Sequence, residues 1–185
     1  MIYTGKCSSF SKILIIGLFA ILSGSSIIFA EPTVVESVDL ERYQGQWFEI
    51  ARFSNPFQTQ LQKNVTATYT QLENGYIEIV NACPNESGQT ESVLGLAKVI
   101  DTNTNAKLGV SFFEVFGWRP IWGDYWIIGL DKEYKFAVIG DSNSKFGWVL
   151  SRTKKLSKKQ LTTVLSIFAT NGYDSAALTY TVHNK

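Results

Sequence analysis

The chain has 185 residues with 17 basic and 16 acidic side chains, so it lacks the basic excess that nucleic-acid binding requires. Its hydrophobic content of 45% and aromatic content of 14% exclude a disordered chain, and its length suits one domain with a sizeable core. One histidine, His183, and two cysteines argue against paired-imidazole metal sites, a Ser-His-Asp triad and a disulfide-rich scaffold. We therefore expect no metal and no cofactor.

The first thirty residues have the pattern of a secretory signal peptide. Lys6 and Lys12 form a basic start, an apolar run covers residues 13–22, and Ala30 follows a second short apolar run. The first run is too short for a transmembrane helix, which needs about 20 apolar residues. The pattern predicts that residues 1–30 are removed by cleavage after Ala30.

The two cysteines bear on compartment and anchoring. Cleavage after Ala30 removes Cys7 and leaves Cys83 as the single cysteine of the mature chain, so no disulfide within that chain is expected. Cys7 precedes the apolar run, which is the wrong position for a lipidated N-terminus. The sequence therefore predicts an exported protein without a lipid anchor.

After a lead-in over residues 31–44, residues 45–185 form one predicted domain of short strands. Turn residues at 73–75, 101–105 and 141–144 separate several of these strands. The strand-like runs are residues 46–53, 64–72, 76–83, 91–100, 107–116, 124–130, 134–140 and 146–152. Eight such strands can close into an antiparallel up-and-down barrel that has no free sheet edge and holds one small ligand.

One segment changes from strand to helix periodicity. Ser157 and Gln160 form a capping box, and Asn171 with Gly172 supplies a stop. The apolar residues between them fall on one helical face, which we expect to pack against the outside of the sheet: Leu161, Val164, Leu165 and Phe168. A short final strand is predicted over residues 178–182.

Three segments, in this order, resemble the signatures of the lipocalins, and the match is closest to the bacterial outer-membrane lipocalins. The first contains Gly45 and Trp47, the second Asp131 and Tyr134, and the third Arg152. They cover residues 38–52, then 123–128 leading into 130–134, and finally 148–153.

These five residues are assigned to structure rather than to ligand chemistry. Gly45 allows the bend into the first strand, and Trp47 is a large plug suited to the closed end of a barrel. In the family the third-signature arginine, here Arg152, clamps the barrel, and stacking on the indole of Trp47 is a plausible means.

The resemblance implies an all-β fold: an eight-stranded calyx with one C-terminal helix outside it and a short last strand. It implies a carrier for a fatty acid or lysophospholipid, serving lipid storage or transport in envelope maintenance, and not an enzyme. The expected location is the periplasm or outer-membrane periphery of a Gram-negative-type cell. The lipidation cysteine of the outer-membrane members is absent.

Strand alternation predicts the lining of the calyx. If Trp47 points inward, Phe48 and Ile50 face the helix side, whereas Gly95 and Ala97 leave room for a ligand. Alternation leaves the faces of 124–130 and 134–140 open, because both are apolar. The predicted ligand-binding residues are Glu49, Ala51, Phe53, Ala67, Tyr69, Ile77, Ile79, Asn81, Gly95, Ala97, Val110, Phe112, Trp122 and Tyr125.

Glu49 is the one charged residue predicted inside the barrel. A carboxylate in an apolar interior must find a donor or become neutral, because desolvation raises its pKa. Tyr69 and Asn81 are its candidate partners.

Two other functions stay open. The aromatic loop 114–122 is a candidate membrane- or protein-interaction surface, and Cys83 is the only plausible nucleophile for a calyx isomerase. The expected partners are a small hydrophobic ligand and a peripheral membrane contact. The sequence leaves the oligomeric state open, a homodimer included.

Overall fold

A computed structural model describes residues 31–53 and 63–184, so the predicted signal peptide lies outside the described residues. A one-turn helix capped by Asp39 precedes the first strand. The elements are α1 (Leu40–Tyr43), β1 (Gly45–Phe53), β2 (Thr66–Gln71), β3 (Ile77–Pro84), β4 (Thr90–Val99), β5 (Lys107–Ser111), β6 (Gly123–Leu130), β7 (Phe136–Gly140), β8 (Gly147–Ser151), α2 (Lys158–Thr170), a 3₁₀ turn (Ser175–Ala177) and β9 (Leu178–Tyr180).

The predicted barrel is confirmed. Each strand from β2 to β7 pairs antiparallel with the one that follows it in the chain. Strand β1 closes the sheet by pairing with both β8 and β2. The turns 72–76, 100–106 and 131–135 lie with α1 at the end of the barrel that we call the closed end. The connections 85–89, 112–122 and 141–146 lie at the opposite, open end.

The predicted helix is also confirmed, with its cap. Ser157 accepts from the backbone of Gln160, and the Gln160 side chain accepts from the backbone of Ser157. Val164 and Phe168 are buried against the outer face of the barrel. In the described part of the chain, no helix is long and apolar enough to cross a membrane.

Two hydrophobic layers result, one inside the barrel and one beneath α2. These two layers show which residues of β6 and β7 face the interior and which face α2, a point that alternation leaves open. Tyr125, Ile127, Ala137 and Ile139 belong to the inner layer. Their neighbours belong to the layer under α2: Trp126, Ile128, Phe136 and Val138.

Strand β5 is shorter than predicted. It ends at Ser111, whose carbonyl accepts a hydrogen bond from Arg119, 3.0 Å away. The chain then leaves the sheet and forms a separate two-residue hairpin, in which Val115 and Trp118 exchange backbone hydrogen bonds of 2.8 and 2.9 Å. The predicted strand over 107–116 is therefore wrong beyond residue 111.

Candidate ligand-binding calyx

A bulge in β1 reverses the alternation on which the sequence prediction relied. Opposite β8, Glu49 pairs with Leu150 but Ala51 pairs with Val149, so one extra residue lies between them. Beyond the bulge Arg52 is on the inner side. Ala51 and Phe53 belong to the layer under α2, and the Phe53 ring lies 5.0 Å from that of Phe168. Their assignment to the ligand site is therefore wrong.

Glu49 does lie inside, but its partners are not the predicted ones. Its Oε1 is 2.6 Å from Nη1 of Arg52 and accepts a hydrogen bond of 2.6 Å from the hydroxyl of Thr181. All three residues are buried. Tyr69 and Asn81, the partners expected from sequence, make no hydrogen bond to it. The barrel therefore contains an ion pair rather than a lone carboxyl group.

The C-terminal segment brings Thr181 to this ion pair. Strand β9 pairs with β1 from Ala51 to Phe53, and Thr181 then donates its backbone N–H to Ile50, 2.9 Å away. His183 Nε2 lies 2.7 Å from the carbonyl of Glu49, which makes the imidazole the donor. The end of the chain thus covers β1 at the point where the bulge weakens its pairing.

The other predicted lining residues alternate as expected. Ala67, Tyr69, Ile77, Ile79 and Ala97 are buried in the inner layer, with Val110 and Phe112 packed against it. Asn81 pairs with Ala67 of β2 and Val93 of β4, and it is half-buried at the same face.

Gly95 does not leave open space, however. A Cβ at that position would lie 2.5 Å from the ring of Phe112. The glycine therefore accommodates a neighbouring aromatic side chain, and the prediction that it makes room for a ligand is wrong.

Three tyrosine hydroxyls meet near the closed end of the interior. Tyr125 Oη lies 2.8 Å from Tyr43 Oη and 2.9 Å from Tyr69 Oη. Burial raises the pKa of each of these phenols above its usual value of about 10. All three hydroxyls therefore remain protonated donors across the physiological pH range.

The signature residues surround the closed end. Trp47 is fully buried, and the Arg152 guanidinium lies 3.7 Å from the centre of its ring. Gly45 has a φ of +86°, which a side chain would strain. Asp131 accepts two backbone hydrogen bonds within its turn, and the Tyr134 hydroxyl accepts one of 2.8 Å from the backbone of Asp39.

Trp122 lies on the outside of the barrel. Its ring is 6.3 Å from that of Tyr76 and 4.3 Å from Nζ of Lys98. Lys98 adjoins the inward Ala97 on β4 and so faces outward. The prediction that Trp122 contacts ligand is wrong. Tyr125, three residues further on, lies deep in the interior.

The aromatic residues at the tip of this connection are exposed. Phe116 is fully exposed at the hairpin tip, with Trp118, Ile121 and Val115 also exposed. Phe116 and Gly117 have φ values of 49° and 79°, the left-handed pair that a two-residue hairpin turn requires. The side chains project away from the barrel rather than fold over it.

At the open end, Cys83 and Glu91 are paired across β3 and β4 at the inward-facing positions. Cys83 is buried and packs with Val65. The expectation that the mature chain contains no disulfide stays a prediction, because Cys83 is the single cysteine once residues 1–30 are removed. The buried position of Cys83 does not favour an isomerase, because reactive cysteines are partly exposed. Glu91 accepts from Asn85 at 3.1 Å through Oε1, while its buried Oε2 has no hydrogen-bond partner among residues 31–53 and 63–184.

Sequence reasoning missed several inward residues. Simple alternation from Trp47 would send Arg52 outward, and only the bulge turns it inward, while Tyr43 lies in the predicted lead-in. Trp148 and Leu150 face inward opposite Arg52 and Glu49, a consequence of the register between β8 and β1. Thr181 has no local signal at all, because only tertiary pairing brings it to β1.

Comparisons with known proteins agree with this architecture. Residues 38–183 match the family model described as a lipocalin-like domain. The chain is 36% identical over 143 residues to the outer membrane lipoprotein Blc of Escherichia coli, covering 77% of each chain. It is 32% identical over 151 residues to temperature-induced lipocalin-1 of Arabidopsis thaliana, covering 80% of this chain and 81% of the relative. Lobster apocrustacyanin A1 superposes with a TM-score of 0.61 at 19% identity, over 85% of this chain and 93% of that one.

Proposed function

Because this chain belongs to the lipocalin family, whose members bind small hydrophobic ligands, we propose that it is a carrier that holds a fatty acid or lysophospholipid in its calyx. Members of the family are generally binding and carrier proteins rather than enzymes. The role we propose is lipid storage or transport in maintenance of the cell envelope.

The observation that carries this proposal is the apolar inner face of β2 to β5. Ala67, Ile77, Ile79, Ala97 and Val110 present hydrocarbon surface toward the barrel axis. Burying about ten methylenes of an acyl chain contributes about 8 kcal/mol before the entropic cost of binding. Apolar contact alone therefore supports useful affinity for an acyl ligand.

Glu91 favours the lysophospholipid of the two ligand classes. Its unpartnered Oε2 is a buried carboxylate oxygen at the open end, where a headgroup would lie. An ammonium group near it would be attracted, whereas the carboxylate of a free fatty acid would be repelled. A zwitterionic headgroup suits this position better than an anionic one.

The test is displacement of a fluorescent fatty acid by lysophosphatidylethanolamine from delipidated protein. Ala97→Trp fills the interior and should abolish binding of the probe. Leu94→Trp places the same side chain on the exposed face of the same strand and should bind normally. Full binding by a folded Ala97→Trp variant would place the lipid outside the calyx and contradict the proposal.

Native mass spectrometry of the freshly purified protein should show one bound lipid and report the subunit count.

We also propose that the protein is exported to the periplasm or outer-membrane periphery, after removal of residues 1–30 and without a lipid anchor. The Escherichia coli relative is named as an outer membrane lipoprotein, which supports an envelope location. Intact-mass measurement after expression in a Gram-negative host tests this. A retained leader or an added lipid mass would contradict it.

A second candidate function is peripheral membrane contact through the hairpin 115–118. The observation that favours it is the complete exposure of Phe116 beside the exposed Trp118 at the open end. Apolar side chains grouped at a protruding tip are typical of interaction surfaces. Sedimentation with vesicles tests this function separately from the carrier function. Vesicle binding through the hairpin does not depend on whether the calyx is empty or holds a ligand.

A further inference from the structure

The three tyrosine hydroxyls at the closed end have one proton more than their hydrogen bonds use. Tyr43, Tyr69 and Tyr125 carry three hydroxyl protons, whereas two hydrogen bonds join them. Whichever way these bonds run, one O–H remains without an acceptor among the described residues. A buried donor left without an acceptor costs about 1–3 kcal/mol.

The position of this triad places the spare donor deep in the calyx. Tyr69 pairs with Gly45 at the start of β1, and Tyr125 pairs with Leu108 on β5, which in turn pairs with Val99 at the end of β4. From Glu91 at the mouth to Val99, β4 runs eight residues, or about 26 Å along the strand. The part of a ligand that contacts the triad therefore lies far from a headgroup at the open end.

We propose that the triad binds an uncharged acceptor oxygen at the inner end of the ligand. This rests on the carrier function proposed above and narrows its ligand to an acyl chain with a keto or hydroxyl group near the end that enters first. A plain methyl terminus would leave the spare O–H buried without a partner. A carbonyl or hydroxyl oxygen accepts from it and removes that penalty.

A carboxylate is a poorer occupant of the same position. Burial raises the pKa of Tyr69, and the negative charge of Glu49 raises it further, so a second anion would experience the same field. The guanidinium of Arg52 is already paired with Glu49 at 2.6 Å. The guanidinium of Arg152 already donates hydrogen bonds to the backbone carbonyls of Gln46 and Gln44. The closed end therefore favours a neutral oxygen.

The experiment compares stearic acid with 17-oxo-octadecanoic acid, which differs by one ketone near the chain end. Both compete with a fluorescent fatty acid for the delipidated protein. The oxo acid should bind about tenfold more tightly to the wild type, which corresponds to about 1.4 kcal/mol. Equal affinities would overturn the proposal, whereas failure of both acids and of lysophosphatidylethanolamine to bind would overturn the carrier function itself.

The matched variant replaces all three tyrosines by phenylalanine, which removes the donors together and leaves no unpaired hydroxyl. It should bind the two acids with equal affinity and so lose the preference for the oxo acid. Tyr180→Phe, on the exposed strand β9, should keep it. If the triple variant does not fold, the hydrogen bond is tested in the wild type instead, by the infrared frequency of the carbonyl band of the bound ¹³C-labelled ketone. A band shifted to low frequency supports the hydrogen bond, and one at its hydrocarbon-solution frequency overturns it.

Discussion

The Arg152 guanidinium stacks on the indole of Trp47 at 3.7 Å and donates to the backbone carbonyls of Gln44 and Gln46, each 2.8 Å away. Trp47 in turn donates its Nε1–H to the carbonyl of Tyr43, 2.8 Å away. One cation from the end of β8 thus holds the chain where α1 passes into β1.

Removing either residue should reduce stability much more than it changes ligand preference. Trp47→Ala should cost about 3–5 kcal/mol, because it empties a fully buried site. Arg152→Ala should also destabilise, because it leaves several carbonyls without their donor. Urea unfolding and fatty-acid titration of each variant measure the two effects. Either variant would contradict the structural role if it melted like wild type and lost binding.

Arg42→Ala is the matched control for Arg152. Its guanidinium also lies over an aromatic ring, 4.1 Å from the centre of Tyr134, but Arg42 is exposed. An exposed cation–π contact contributes about 0.5–1 kcal/mol. The control should therefore lose far less stability than Arg152→Ala, and an equal loss would remove the distinction between clamp and surface contact.

Glu49→Gln should destabilise the protein by about 3–5 kcal/mol, because it leaves the buried Arg52 without its counter-charge. Thr181→Val removes the hydrogen bond to the same oxygen and a longer one, of 3.4 Å, from Nη1 of Arg52, but it keeps the ion pair and should cost about 1–2 kcal/mol. Thermal unfolding measured by circular dichroism compares the two. A Glu49→Gln variant as stable as wild type would show that the carboxyl group is not the charged partner of Arg52.

The tyrosine triad predicts a loss of stability at high pH. The folded-state pKa of Tyr43, Tyr69 and Tyr125 is raised by burial, so above pH 10 the unfolded chain releases protons that the folded chain retains. The stabilisation is complete below pH 10 and decreases as the pH rises, by about 1.4 kcal/mol per pH unit for each tyrosine. Urea unfolding between pH 9 and 11 measures the slope. Tyr69→Phe should make it shallower, and an unchanged slope would contradict the prediction.

The sequence predicted the elements well because each has a local signal. Turn residues separate the strands, and the Ser157 capping box begins α2. The prediction of inward and outward faces fails where one extra residue shifts the register of β1 against β8. The bulge after Glu49 sends Arg52 inward and Ala51 outward, and no composition rule locates a bulge that depends on pairing with β8.

The polar groups of the calyx were harder to predict than its apolar lining. Ala97 and Ile79 follow simple alternation within one strand. The partner of Glu49 and the hydroxyl contacts of Tyr125 join residues as much as 132 positions apart. Such contacts depend on barrel closure and on the path of the C-terminal segment, and neither is encoded in a short window of sequence.

Phe116→Asn should separate the conformation of the hairpin from the proposed membrane contact of its tip. Phe116 has a φ of 49°, which costs a bulky residue strain that asparagine tolerates, and Asn-Gly is the preferred pair for this turn. The variant should therefore melt at or above the wild-type temperature. Sedimentation with phosphatidylethanolamine–phosphatidylglycerol vesicles should nevertheless fall, because a fully exposed aromatic ring has been removed. Leu94→Asn, which removes an exposed apolar residue from the barrel wall, is the control and should sediment like wild type. If Phe116→Asn bound vesicles as wild type does, the tip would not be the contact, and only the carrier function would remain.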